Sequence, residues 1–296
     1  MPDLREASDA GLVARPEIVA TTVDSSAFGI VEKPLSPFEK LYNISALRKI
    51  VILVVLAATW EIGARLLHND LLFPTFFATC TAFINGVASG ELILKVWASL
   101  KVLLMGYSIG IVLAGVLTAI GVASRIGADL LETLTSMFNP LPAIALLPIA
   151  LIWFGLGNGS LIFVLVHSVT WAVALNTHSG FLAVSTTQRM VGRNYNLSGI
   201  AYVFQILIPA AFPSILTGLK IGWAFAWRTL IASELVFGVS SGSGGLGWFI
   251  YENKNQLEIA NVFAGLFTVI LIGLFVENLI FRNVEIRTVR KWGLQS

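Results

Sequence analysis

An all-α integral membrane protein with six transmembrane helices is the fold class this sequence predicts, on three observations. The 296 residues are 56% hydrophobic and only 12% charged, with a mean hydropathy of +0.82, whereas a soluble domain carries roughly 25% charged residues. Apolar runs long enough to cross a hydrocarbon core, about 20 residues each, recur along the chain. The remaining charges sit near the ends of those runs, where water or headgroups solvate them.

Residues 1–45 are polar, with Pro2, Pro16, Pro34 and Pro37 spread through them. They lack the basic start and apolar centre of a cleavable signal and are expected to form a largely disordered cytoplasmic tail. A short interfacial helix fits near Phe38–Ile50. The transmembrane domain is expected over 46–285, with spans near Lys49–Leu67, Val96–Val122, Leu134–Phe154, Leu161–Leu182, Pro213–Phe237 and Ala260–Phe281. Leu71–Leu92 is too broken to span and reads as a helix lying at the outer interface. Residues 286–296 form a cytoplasmic C-terminal tail. With the N-terminus placed inside, 13 of the 19 Lys and Arg fall in inner segments and four in outer ones; Lys220 and Arg228 lie within the fifth span. Lys and Arg favour the cytoplasmic side, so both termini are expected there.

One polar stretch stands out between the fourth and fifth spans. RNYNLSGIAYVFQILIPAAFPSILTGLKIG (Arg193–Gly222) begins polar and becomes apolar, with Pro209 and Pro213 at the change. Tyr195, Leu197, Ile200, Ala201, Phe204 and Ile208 recur at helix-compatible spacings, and Ser198 and Gly199 suit a turn. A short helix–turn–helix with an apolar face fits docking into a groove on a partner; an interfacial helix resting on headgroups is the alternative. Prolines favour the first turn of a helix, so Pro209 and Pro213 are expected to start or kink the fifth span.

Three blocks, NPLPAIALLPIALIWFGLGNGS (Asn139–Ser160), ILIPAAFPSILTGLKIGWAFAWRTLIASEL (Ile206–Leu235) and GGLGWFI (Gly244–Ile250), carry a resemblance to known proteins. From about Trp60 to Ile280 the chain resembles the permease subunit of a bacterial ABC importer, in the nitrate/taurine/sulfonate/bicarbonate branch. The resemblance implies the type I importer permease fold and makes 186–208 the coupling segment that seats in an ATPase. Arg193, Tyr195, Asn196, Leu197, Ser198, Gly199 and Tyr202 would carry that contact. The family's E-A-A triplet falls at Met190, Val191 and Gly192, so its acidic residue is absent. Its glycine falls at Asn196, the next-best residue for a left-handed backbone. The resemblance further implies two cytoplasmic ATP-binding subunits holding ATP and Mg, a second permease (a copy or a paralogue), a periplasmic substrate-binding protein and the bacterial inner membrane. The cargo would be a small anion or organic acid: nitrate, a sulfonate or taurine, bicarbonate or an aromatic acid.

Ionisable groups at bilayer depth are costly and point to function. Arg228 lies about 22 Å into the Pro213–Phe237 run at 1.5 Å per residue. Its guanidinium either faces the translocation path, where it would grip an oxyanion, or pairs with Glu234, Glu61 or Glu277. Glu234, His167, Trp171 and Asn139 are the other path candidates; His167 also fits a hydrogen-bonded packing role. Lys220 is expected to snorkel to the interface. Glu61 and Glu277 fit packing contacts or interface caps.

Other chemistries find little support. One cysteine, Cys80, excludes an intrachain disulfide, and three histidines with no second His or Cys at ligand spacing argue against a metal site. Trp153–Ser160 and Ser240–Ile250 are glycine-rich, but neither carries the lysine of a phosphate loop; both read as outer turns. No cofactor is expected on this chain, no catalytic residue, and no nucleic acid as partner. A stand-alone secondary transporter of a small anion is the rival reading.

Overall fold

The computed structural model describes residue 39, residues 42–237 and residues 244–291, with no strand among them. Most of the expected N-terminal tail, the 240–243 part of the expected outer loop and residues 292–296 lie outside the described residues. The chain falls into two compact units, Met1–Val54 and Val55–Ser296. In the first, Arg48 donates to the Tyr42 carbonyl at 2.8 Å and its guanidinium lies 5.4 Å over the Tyr42 ring.

In chain order the helices are α1 (Ser45–Leu67), α2 (Phe76–Ala88), α3 (Glu91–Ala123), α4 (Arg125–Phe138), α5 (Leu147–Phe154), α6 (Asn158–Leu182), α7 (Thr186–Asn194), α8 (Gly199–Tyr202), α9 (Ile208–Phe237), α10 (Leu246–Asn255), α11 (Ile259–Phe275) and α12 (Arg282–Glu285). Among the described residues, five continuous helical stretches are long and apolar enough to cross a membrane: Ser45–Leu67, Glu91–Ala123, Asn158–Leu182, Val203–Val236 and Ile259–Arg290. The third expected span is corrected. Arg125–Phe138 and Ala143–Phe154 meet at 87° instead of running straight, because Pro140 and Pro142 interrupt the backbone hydrogen bonds between them. Counting this pair as one broken span gives six.

Two further boundaries differ from expectation. The fifth span does not start at the prolines. A π-helical turn, Val203–Leu207, joins α8 to α9 without a break. The Ile208 N–H bonds to the Val203 carbonyl, five residues back, and this widened turn accommodates Pro209, which has no N–H to give. Pro213 lies inside α9. The expected outer loop over Ser240–Ile250 is in part helical, since α10 begins at Leu246.

Helix α6 is the centre of the bundle. Half of its most apolar window is buried, against 6% for α1. Small residues let its neighbours approach closely. A Cβ on Gly106 or Gly110 of α3 would stand 2.6 Å from Leu165 or 2.7 Å from Val169. One on Gly218 of α9 would stand 2.8 Å from Asn176. At the periphery, α2 is held by Thr75, whose hydroxyl accepts from Ala78 N, and by Glu61, which accepts from Phe77 N at 3.2 Å. Glu61 also pairs with Arg65, so it caps a helix start where an anion meets free N–H groups.

Candidate functional site

The polar segment after α6 is built by a chain reversal and two caps. Arg189 reaches back to the end of α6, donating from Nη2 to the Phe181 carbonyl at 2.6 Å and from Nε to the Val184 carbonyl at 3.1 Å. The Ser185 hydroxyl caps α7 by accepting from Gln188 N. At the far end, Leu197 N bonds to Gly192 O and Asn196 N to Arg193 O, at 3.0 and 2.9 Å. Those two bonds define a Schellman stop, and its left-handed position is Asn196, with φ of 54°. Gly199 is also left-handed, with φ of 56°.

The reversal folds α7 onto the residues that follow. Gly192 is buried, and a Cβ there would meet the Tyr202 ring at 2.8 Å. Leu197 and Tyr202 are half-buried, while Arg193, Tyr195, Asn196, Ser198 and Gly199 are exposed. Among the described residues, four large apolar side chains of this segment are exposed: Met190, Val191, Tyr195 and Phe204, at 54, 43, 77 and 65%.

A second feature is a cavity of ≈ 360 Å³ between the α4–α5 bend, α6 and α9. Four of the five path candidates line it: Asn139, His167, Trp171 and Arg228. Phe138 stacks on Trp171 at 5.2 Å and 14°, and meets His167 edge-on at 6.2 Å. Both ring nitrogens of His167 and Nε1 of Trp171 are buried with no hydrogen-bond partner among the described residues. The Arg228 Nε donates to the Ala224 carbonyl at 3.0 Å and its guanidinium carbon lies 5.2 Å over the Phe225 ring. Arg228 makes no ion pair among the described residues. It also lines a second cavity of ≈ 220 Å³, with Lys220 and Glu277. Lys220 is paired with Glu285 at 2.5 Å.

Glu234, the fifth candidate, lies elsewhere. It is buried, at 4% exposure. Its carboxylate accepts from the Ser99 hydroxyl on α3 and from Gly247 N in the first turn of α10. A carboxylate at a helix N-terminus meets both free N–H groups and the positive end of the dipole. Lys95 and Glu252, 4.0 Å apart, join the same two helices.

Residues 106–287 match the family described as binding-protein-dependent transport system inner membrane component. The chain belongs to this family. It is therefore a multi-pass permease, a transport component without catalytic chemistry of its own. The nitrate import permease protein NrtB of Synechocystis is 30% identical over 252 residues, covering 83% of this chain and 90% of the relative. NrtB of Synechococcus elongatus is 28% identical, over 78% of this permease and 86% of its own length. The taurine transport system permease protein TauC of Escherichia coli is 29% identical, over about half of each chain.

Sequence reasoning missed three contributors: Arg189, Ser99 and α10. Arg189 counts in the sequence as one more inner charge, yet it closes the end of α6. Ser99 looks like an isolated hydroxyl in an apolar run. The ten residues of α10 are too short and mixed to stand out.

Proposed function

We propose that this permease forms, with a second permease, the membrane path of an ATP-driven importer, and that 186–208 is its coupling segment. The observation that carries the reading is the Schellman-stopped reversal at Asn196, which leaves Met190, Tyr195 and Phe204 standing clear of the bundle. Exposed apolar side chains on a short, internally braced helical unit suit a groove on a partner. That partner is an ATP-binding subunit, one for each permease, holding ATP and Mg. Closure of the two ATPases would carry the two segments together as rigid bodies, since Arg189 ties each to the end of α6. Arg193, Tyr195, Asn196, Leu197, Ser198, Gly199 and Tyr202 are the contact residues in this reading. A periplasmic binding protein would deliver cargo at the opposite end of the bundle, in a bacterial inner membrane with both termini cytoplasmic. Nitrate and taurine relatives support a small anion or organic acid as cargo, and the cavity beside Arg228 supports an anion.

The test is recovery of the detergent-solubilised chain from its native membrane, followed by ATPase assay with candidate binding proteins. A co-purifying ATPase, lost when Tyr195–Tyr202 is replaced by Gly and Ser, is the expected result. A chain that emerges alone and transports in vesicles without ATP would make it a secondary transporter instead.

A further inference from the structure

The larger cavity has a chemistry more specific than positive charge. Arg228 is its single charged lining residue among those described, and no carboxylate lines it. The Arg228 Nε is occupied by the Ala224 carbonyl, which leaves the paired Nη groups for a ligand. Two parallel N–H donors match the oxygens of a carboxylate or sulfonate. Nearby, the Trp171 indole N–H and the His167 ring are buried without partners among the described residues, and buried polar groups ordinarily have them. Aromatic rings flank these donors: Phe138 is stacked on Trp171, and Phe225 lies under the guanidinium.

Size separates the candidate cargoes. At about 30 Å³ per water, a four-atom anion such as nitrate fills the space of roughly two waters. The cavity measures ≈ 360 Å³, so nitrate would occupy only a small part of it. A zwitterion such as taurine brings an ammonium, and no carboxylate lines the cavity to receive it; an unpaired charge taken out of water is costly. An anion with a flat apolar body would use both the donors and the aromatic rings of this lining. Its head meets Arg228, Trp171 and His167, and its ring packs against Phe138 and Phe225.

We propose that this cavity is a binding site for an aryl sulfonate or aryl carboxylate, with Arg228 holding the head group and Phe138 and Phe225 selecting the ring. The proposal rests on the importer reading for its role in transport, although binding itself can be measured apart from it. Unlike the binding protein, which sees cargo first, this site would check cargo inside the membrane.

The experiment is equilibrium dialysis of radiolabelled benzenesulfonate, taurine and nitrate against the full-length chain in detergent. Benzenesulfonate is expected to bind at least roughly tenfold tighter than the other two, about one tenfold step in Kd. Arg228→Gln should weaken all anion binding, whereas Phe138→Leu should weaken benzenesulfonate more than nitrate. Equal affinity for the three wild-type ligands, or none, overturns the proposal without reference to any variant. Displacement of benzenesulfonate by phosphatidylglycerol at equal concentration would also overturn it, assigning the cavity to lipid. If the ATPase co-purifies and couples but benzenesulfonate does not bind, this site fails and the importer reading stands. If benzenesulfonate binds through Arg228 in a chain that transports without ATP, the site stands and the importer reading fails.

Discussion

Glu234 and Ser99, 135 positions apart in the chain, share one hydroxyl proton: the Ser99 oxygen lies 2.9 Å from each carboxylate oxygen. The same hydroxyl accepts from Leu246 N at 2.8 Å, and the carboxylate accepts from Gly247 N at 2.8 Å. A cluster of four groups thus fastens α10 to α3 and α9. Ser99→Ala leaves the buried Leu246 N–H without an acceptor, which costs about 1–3 kcal/mol. Glu234→Ala removes two bonds and should cost more. Unfolding midpoints of the detergent-solubilised chain measure both, and unchanged midpoints would mean that α10 is fastened by other contacts.

Glycines within α3 should behave oppositely to one another. A Cβ on Gly106 would press on Leu165 at 2.6 Å, while one on Gly115 meets nothing within 4 Å. Gly106→Ala is expected to destabilise by about 1–3 kcal/mol through overpacking. Gly115→Ala is expected to stabilise by up to about 1 kcal/mol, because alanine is the better helix former. Thermal unfolding of the pair, compared side by side, gives the answer; equal shifts would contradict the packing of α3 on α6.

At position 196 the backbone itself sets the expectation. With φ of 54°, Asn196→Gly should preserve the Schellman turn, whereas Asn196→Val should strain it by about 1–2 kcal/mol. In the assembled importer, the valine variant should lose ATPase stimulation while the glycine variant keeps it. The reverse order would show that the Asn196 side chain, and not its conformation, does the coupling.

Arg189 closes the last turn of α6 with two hydrogen bonds to carbonyls, at 2.6 and 3.1 Å. Arg189→Ala should therefore loosen the segment without removing any docking side chain. We expect ATPase subunits to remain bound in pull-down but stimulated hydrolysis to fall several-fold, about 1 kcal/mol of coupling. Arg189→Lys, which can reach one carbonyl and not two, should fall between. Full stimulation in the alanine variant would show that the segment moves independently of α6.

Much of the architecture was legible because crossing a membrane sets a minimum length of apolar chain. That constraint is local, so Ser45–Leu67 and Glu91–Ala123 announced themselves. It is blind to direction, and the α4–α5 bend was read straight through even though Pro140 and Pro142 were in view. The left-handed role of Asn196 was readable because backbone preference belongs to the residue type. Contacts were not. That Arg228 would share a cavity with His167 and Trp171, while Glu234, six residues away, would turn to Ser99, depends on how α9 is rotated against α6 and α3. Hydropathy alone leaves that rotation open.

Arg228 lines two cavities, one on each flank of α9. An anion in either compartment would draw on the same guanidinium. The smaller one adds Glu277, and its Lys220 is already matched by Glu285. An anion in the smaller cavity would meet a carboxylate as well as the guanidinium. The two flanks of α9 are therefore electrically unlike: on one the guanidinium is the charged group, and on the other it stands with a carboxylate and a paired lysine.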